Sequence, residues 1–468
     1  MHWLDLSVLV LYAGLLMGFG FFRSTQTGKD PESYLLAGRK LSLPGFVITL
    51  VATWYGGILG IGENTYNYGI QTWFIFGLPY YVFALIFAFF IAGKINRLKT
   101  ISLPDQFHEQ YGKTAGVISA LYVLILASPA PYILSIGILL QFTTGMPFGY
   151  ALLIATGISL SYIWVGGFKA VVRTDYFQFG FMFVGFVLLL IFSIKSGGPL
   201  TELNLPESHW NPTGGASIQY MVVWFFIALW TFVDPGFYQR SAAAKSPETA
   251  KKGILISIGF WFIFDMLTLS TGLYAKALLS AGDPLFAFPR LGALVLPNLA
   301  YGIFITGLLA TIMSTIDSLG LISAITFGRD ILWRIQSPTT KDQEQWNQAS
   351  TGFVRKGLGV TAFIALGLAF SVPSVVNLWY GIGSILIPGL VHPFLLSFQS
   401  NRPTRGIGIL MIAPVVVGAT WLAIGNFTGG NPLGLEPFYP GMLTSLLIYL
   451  LKKKRIIMKF ENPFSVRK

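Results

Sequence analysis

Apolar runs of roughly 20 residues recur along almost the whole chain, separated by short polar stretches. Thirteen such segments stand out, at 3–22, 43–68, 72–93, 115–140, 148–165, 175–194, 218–235, 253–277, 299–327, 356–372, 374–398, 406–426 and 436–451. The pattern predicts an all-α polytopic membrane protein with about 13 transmembrane helices. Polar residues inside the segments then become informative, because in hydrocarbon each must find a partner or line a cavity. The stretch TGLLATIMSTIDSLGLISAITFGRDI, Thr306 to Ile331, holds the densest set: Thr311, Ser314, Thr315, Asp317 and Ser318. Thr311, Ser314, Thr315 and Ser318 recur at spacings of three and four, so they share one helix face. A face of small neutral oxygens at mid-depth suits a dehydrated hard cation such as Na⁺, and an intramembrane carboxylate marks a functional site by default.

Composition agrees with a membrane setting. Hydrophobic residues make up 54% of the 468 and charged residues 11%, where soluble domains carry about 25% charged. With no cysteine, disulfides, thiol nucleophiles and iron–sulfur clusters are excluded. His2, His108, His209 and His392 have no metal-ligand spacing, and no phosphate-binding glycine pattern appears. An enzyme reading has no support.

Charge orients the segments. Of the 31 Lys and Arg residues, 28 fall in alternate loops and the C-terminal tail, and only Lys195, Lys276 and Arg290 fall on the other side. The positive-inside rule then places the N-terminus outside and the C-terminus in the cytoplasm, in a plasma membrane such as the inner membrane of a bacterium. The net charge of +12 follows from this asymmetry and does not point to nucleic acid.

Two segments contain breaks. The second, LVATWYGGILGIGENTYNYGI, crowds Gly56, Gly57, Gly60 and Gly62 into its middle, and each glycine costs a helix roughly 1 kcal/mol relative to Ala. Close packing against a neighbouring helix would also use such glycines. The seventh ends in WTFVDPGFYQR, where Asp234-Pro235-Gly236 must interrupt a helix. Broken spans five apart are what two five-helix repeats of inverted topology would give, with freed carbonyls available to an ion.

Four motifs in order then resemble the sodium:solute symporter family, whose members transport sugars, proline, pantothenate, sialic acid and iodide. They are YLLAGRKLSLPGFVITLVAT, SLPDQFHEQYG, GGFKAVVRTDYFQ, and ATIMSTIDS with FGRDI downstream; YQRSAAAKSPETAKKG also fits. The resemblance runs from about Tyr34 to Arg329 and more weakly to about residue 400. It implies a LeuT-like five-plus-five inverted repeat with one extra N-terminal and two extra C-terminal helices. The divisions would be 1–42, the extra helix and a loop; 43–195, the first repeat; 196–398, the second; and 399–468, two further helices and a basic tail.

The resemblance also implies a sodium site. Carried onto this sequence it comprises the carbonyls of Ala52 and Tyr55, the carbonyl of Thr311, and the hydroxyls of Ser314 and Thr315. The competing structural role for these hydroxyls is a bond back to the carbonyl one turn earlier. Asp175 matches an acidic position associated with cation passage, although a carboxylate opening a helix is also favoured by the helix dipole. Asp317 turns away from the hydroxyl face, and Asp265 stands unassigned in the eighth segment. Ile58, Leu59, Ile227 and Trp261 fall where sugar-transporting relatives present polar side chains, which disfavours a sugar, and Trp230 falls near the aromatic gate. A small organic acid, amino acid or amphipathic nutrient fits better.

The expected function is sodium-coupled import of a small organic solute by alternating access, with sodium, solute and the lipid bilayer as partners. Two alternatives stand beside it. One is a proton-coupled transporter using Asp175 or Asp265. The other is a sensor module, disfavoured because only about 17 residues follow the last segment. Nothing in the pattern specifies an oligomeric state.

Overall fold

The computed structural model describes residues 1–21, 31–336, 343–371, 375–399 and 406–461. Among them the fold is helical, and the only extended pairing is an isolated parallel bridge between Leu41 and Ala244. The principal helices are α1 (Trp3–Phe21), α2 (Leu43–Trp54), α3 (Ile58–Tyr68), α4 (Leu78–Phe90), α5 (Lys113–Leu126), α6 (Ala130–Thr144), α7 (Phe148–Gly197) and α8 (Ile218–Ile227). They continue with α9 (Trp230–Val233), α10 (Pro235–Ala243), α11 (Pro247–Leu278), α12 (Ala300–Ile325), α13 (Gln343–Ser371), α14 (Val375–Leu396), α15 (Ile407–Thr428) and α16 (Phe438–Glu461).

Ten of the described helical stretches are long and apolar enough to cross a membrane, or eleven when the bent pair α2–α3 counts as one span. The thirteen expected are not all of that length. Segments 148–165 and 436–451 appear as shorter apolar helices, Phe148–Ser159 and Phe438–Leu451. The fifth and sixth segments run together as α7, interrupted only at Gly167, whose φ of 55° leaves the helical region. A Cβ there would lie 2.4 Å from the Tyr34 carbonyl oxygen, so glycine is required by both conformation and space. The division at Pro373, and the cations Arg23, Lys29, Lys341, Arg402, Arg405, Arg467 and Lys468 used for orientation, lie outside the described residues.

Both expected breaks are present. Ser42 caps α2, accepting from the Gly45 N–H at 3.4 Å, and Pro44 sits in its first turn, where its missing N–H costs nothing. The helix stops at Trp54, and α3 restarts at Ile58 with a bend of 57°. In the seventh segment Asp234 accepts from the Phe237 N–H at 2.8 Å and Pro235 opens α10, so the residues that end one helix start the next.

The polarity of the bundle is that of a membrane protein. Val10, Phe90, Phe363 and Ile409 stand exposed on outer helices, whereas α12 is buried at every residue from Phe304 to Ile325. A helix enclosed on all sides can carry polar groups that lipid would penalise. It packs most extensively against α7. The extra helix α1 covers both, and its Asp5 carboxylate accepts from the N–H groups of Leu299 (2.8 Å) and Gly302 (3.0 Å). A residue of one helix thus caps the N-terminus of another, where a negative charge is favoured.

Candidate functional site

The break after α2 and the hydroxyl face of α12 meet. Thr315 donates its hydroxyl to the Thr53 carbonyl at 2.8 Å, and lies 3.3 Å from the Thr311 carbonyl on its own helix. The contact is close because Gly56 has no side chain. A Cβ on Gly56 would fall 2.5 Å from the Thr315 Cβ and 2.6 Å from its hydroxyl oxygen. Ala52 is buried in the last turn of α2, and Tyr55 is the residue at which that helix ends. Thr311 sends its hydroxyl back to the Gly307 carbonyl at 2.7 Å, the role expected of a structural threonine. Ser314 instead crosses to α7, donating to Asp175 at 2.6 Å.

Asp175 is fully buried. It lies eight residues beyond Gly167 within α7, not in the first turn of a helix, so the helix dipole does not account for it. Its second oxygen accepts from the Thr49 hydroxyl of α2. Beside this group stands Arg240 of α10, which the charge pattern counts among loop cations but which is fully buried. It donates to the hydroxyls of Thr53 (2.7 Å), Ser318 (2.8 Å) and Thr49 (3.0 Å), and to the Thr49 carbonyl (3.2 Å). It is the electrostatic partner of Asp175 and Asp234. Such partners are what allow a guanidinium to be taken out of water. Asp317 is buried within α12 and within electrostatic reach of Tyr12 on α1.

A cavity of about 940 Å³, open space at its mouth included, lies against the break. Aromatic rings dominate its walls: Trp54 and Tyr55 at the break, Phe76 just before α4, Tyr80 of α4, Tyr132 of α6, Trp230, Phe237, and Trp379 of α14. Trp379 reaches so far in that a Cβ on Gly57 would fall 2.0 Å from its ring. Thr53, Asp234, Arg240 and Asp265 supply polar groups. Asp265 accepts from the Tyr55 hydroxyl at 2.8 Å and from the Tyr81 hydroxyl of α4.

Of the five residues expected around the solute, Trp230 lines this cavity. Ile58, Leu59, Ile227 and Trp261 are buried and do not belong to its lining. Trp261 packs behind the wall, its ring 5.2 Å from that of Trp54, and Ile227 packs where a Cβ on Gly383 would fall 2.9 Å away.

The family model of the sodium:solute symporter family matches residues 34–410. The chain belongs to this family. Full-length relatives include sodium/proline symporter 2 of Staphylococcus saprophyticus subsp. saprophyticus, 24% identical over 95% of this chain and 91% of its own. The sodium/proline symporter of Staphylococcus aureus is 23% identical over 97% and 93%. Among solved structures, a Na⁺-coupled sialic acid symporter in a substrate-bound outward-open state superposes with a TM-score of 0.79. The match is 16% identical and covers 95% of both chains. A nucleobase-cation-symport-1 family transporter in a closed conformation gives 0.60 at 14% identity, over 91% of this chain and 95% of that one. These likenesses show the LeuT-like transporter fold. This symporter is an integral membrane secondary transporter, not an enzyme, and sodium is its coupling ion.

In the symporter the family motifs meet in pairs. Tyr34 of the first packs on Gly167 of the third. The second, SLPDQF, closes on FGRDI at the end of α12. Asp105 pairs with Arg334 and lies 3.4 Å from Arg329, while Ser102 donates to Asp330 at 2.6 Å. Burial raises the Asp105 carboxyl, but Arg329 and Arg334 outweigh burial and leave it below its ordinary value. Arg329, assigned to a loop by charge alone, is likewise buried, held by Asp105 and by Asp330 at 2.8 Å.

Proposed function

We propose that the symporter imports a small organic solute of the amino-acid or organic-acid class, with one sodium seat at the contact between α2 and α12. The seat comprises the carbonyls of Ala52, Tyr55 and Thr311 and the hydroxyls of Ser314 and Thr315. The observation that carries it is the 2.8 Å bond from Thr315 to Thr53, between the two proposed carbonyl donors of α2. Neutral oxygens can replace the water shell of Na⁺ without holding it irreversibly, as a coupling ion requires. The cavity beside the break is the proposed solute site, and Asp175, one bond from Ser314, is a proposed station on the ion's path. The proline symporters of the two staphylococci support the solute class. Residues 43–195 and 196–398 are the proposed repeats, flanked by 1–42 and 399–468. Rocking of one bundle against the other would expose the central site alternately to each side.

Coupling is tested in proteoliposomes with radiolabelled amino acids, L-proline among them, and carboxylic acids. An inward sodium gradient should raise uptake of the transported compound roughly tenfold or more, the response expected when ion and solute sites are coupled by about 1.4 kcal/mol. Uptake driven equally well by a pH gradient without sodium would overturn the sodium seat.

The proposed topology has thirteen spans, the N-terminus outside and the C-terminus in the cytoplasm of a bacterial plasma membrane. The Staphylococcus relatives support that setting, and the charge asymmetry supports the orientation. Because the chain has no cysteine, single replacements report cleanly. Gly430→Cys, exposed in the connection between α15 and α16, should react with an impermeant maleimide on intact cells. Ser465→Cys, outside the described residues, should react only after permeabilisation. The opposite pattern would reverse the orientation.

A further inference from the structure

Asp265 differs from the other carboxylates near the centre. Asp175 and Asp234 share Arg240, and Asp234 also caps α10. Among the described residues the hydrogen-bond partners of Asp265 are two phenols, Tyr55 and Tyr81, and no basic side chain pairs with it. Phenols are neutral donors, so they orient the carboxylate without compensating its charge. A carboxylate drawn out of water without a cation is costly: it either takes up a proton or is completed by an arriving cation.

Aromatic rings dominate the walls of the cavity that Asp265 lines. Trp54 and Tyr80 meet edge to face with centroids 5.1 Å apart. Tyr132 and Trp379 also line the cavity, joined by the Trp379 Nε1–H donating to the Tyr132 hydroxyl at 3.3 Å. Trp230 completes the wall. Aromatic faces attract cations through their quadrupoles, and an alkylated ammonium gains most because it carries little hydration to lose. A small metal ion would have to shed a tightly held water shell that such walls cannot replace. Arg240 sits in the same cavity with its donors spread over Thr49, Thr53 and Ser318.

We propose that the transported solute is recognised through an organic ammonium group, seated against Asp265 inside this aromatic enclosure. The proposal rests on the reading of the cavity as the solute site. A carboxylate elsewhere on the solute is compatible with it, since Arg240 stands on the same cavity. A solute with a carboxylate alone would meet Asp265 as a like charge, and a sugar would leave that charge uncompensated.

The test uses the full chain in nanodiscs with saturating sodium, read by intrinsic tryptophan fluorescence, because Trp54, Trp230 and Trp379 line the cavity. The probes are tetramethylammonium, choline, glycine betaine, L-proline, pyruvate and D-glucose. At least one ammonium-bearing probe should bind roughly tenfold or more tightly than pyruvate and glucose. Choline or tetramethylammonium alone would identify a simple cation, and glycine betaine or proline alone a zwitterion; both outcomes support the proposal. Asp265→Asn, which keeps the shape, should remove the preference. Asp265→Glu, which keeps the charge, should retain it and guards against a variant that fails to fold. Trp230→Ala separates the two readings. If it weakens binding while Asp265→Asn leaves the probe preference unchanged, the cavity stands and the ammonium inference is overturned. If neither variant alters binding of the tightest of these probes, the cavity itself is misassigned. Pyruvate or glucose binding as tightly as the best ammonium probe also overturns the inference.

Discussion

Replacing Ser314 and Thr315 together by alanine is expected to uncouple the transporter, lowering its apparent sodium affinity by roughly tenfold or more, equivalent to about 1.4 kcal/mol. Each hydroxyl has a role that alanine cannot supply. Thr315 reaches the Thr53 carbonyl of the break, and Ser314 reaches Asp175. Each such bond is worth about 0.5–1.5 kcal/mol, and a bond to an ionised carboxylate about 1.5–3. The change removes two oxygens from the proposed ion seat and leaves Asp175 with Thr49 as its hydroxyl donor. The volumes removed are small, so the fold should survive. Thr315→Ser keeps the oxygen and should retain sodium dependence, which separates loss of a ligand from loss of packing. Binding of ²²Na⁺ to the purified protein reads the effect without knowledge of the solute. A double variant that binds sodium like the wild type would remove these residues from the ion site.

Much of this arrangement is legible in the chain because its cues are local. Asp234 and Pro235 encode both the end of one helix and the cap of the next, so the break in the seventh segment can be placed to the residue. Gly56 and Gly57 mark the other break. The hydroxyl face of α12 follows from spacing within a single helix. What the chain hides is non-local. Ile58 and Leu59 are placed by the family resemblance and not by a local cue. The chain leaves the helix at Trp54 and restarts at Ile58 with a 57° bend, and neither Ile58 nor Leu59 lines the cavity beside the break. The side chains that do line it come from segments more than 300 positions apart, Leu50 to Trp379, and no local periodicity links them. Arg240 and Arg329 mislead for a related reason. Counting cations at helix ends cannot distinguish a solvated loop arginine from one turned inward, because what separates them is the partner: Thr53 and Ser318 for one, Asp105 for the other.

Gly56→Ala adds a single carbon at the proposed ion seat and is expected to abolish its function. The added Cβ would fall 2.5 Å from the Thr315 Cβ, 2.6 Å from its hydroxyl oxygen and 2.6 Å from the Tyr132 ring. The methyl cannot be accommodated by swinging a flexible side-chain end, because the Thr315 Cβ is fixed to the backbone of α12. That helix is enclosed along its length and packs tightly on α7, so it has little room to retreat. The break must withdraw instead, carrying the Thr53 carbonyl away from Thr315. Overpacking of this kind costs typically about 1–3 kcal/mol in stability, and the displacement also separates the two halves of the proposed ion seat. Sodium binding and sodium-driven uptake should both be lost, while some folded protein remains. Gly60→Ala is the matched control, since its nearest neighbour would be Val376 at 3.4 Å, an ordinary contact. Within α3 that change should be near neutral or slightly stabilising, by up to about 1 kcal/mol from helix propensity. If Gly56→Ala binds and transports sodium as well as Gly60→Ala does, the close approach of the break to α12 is not what holds the ion.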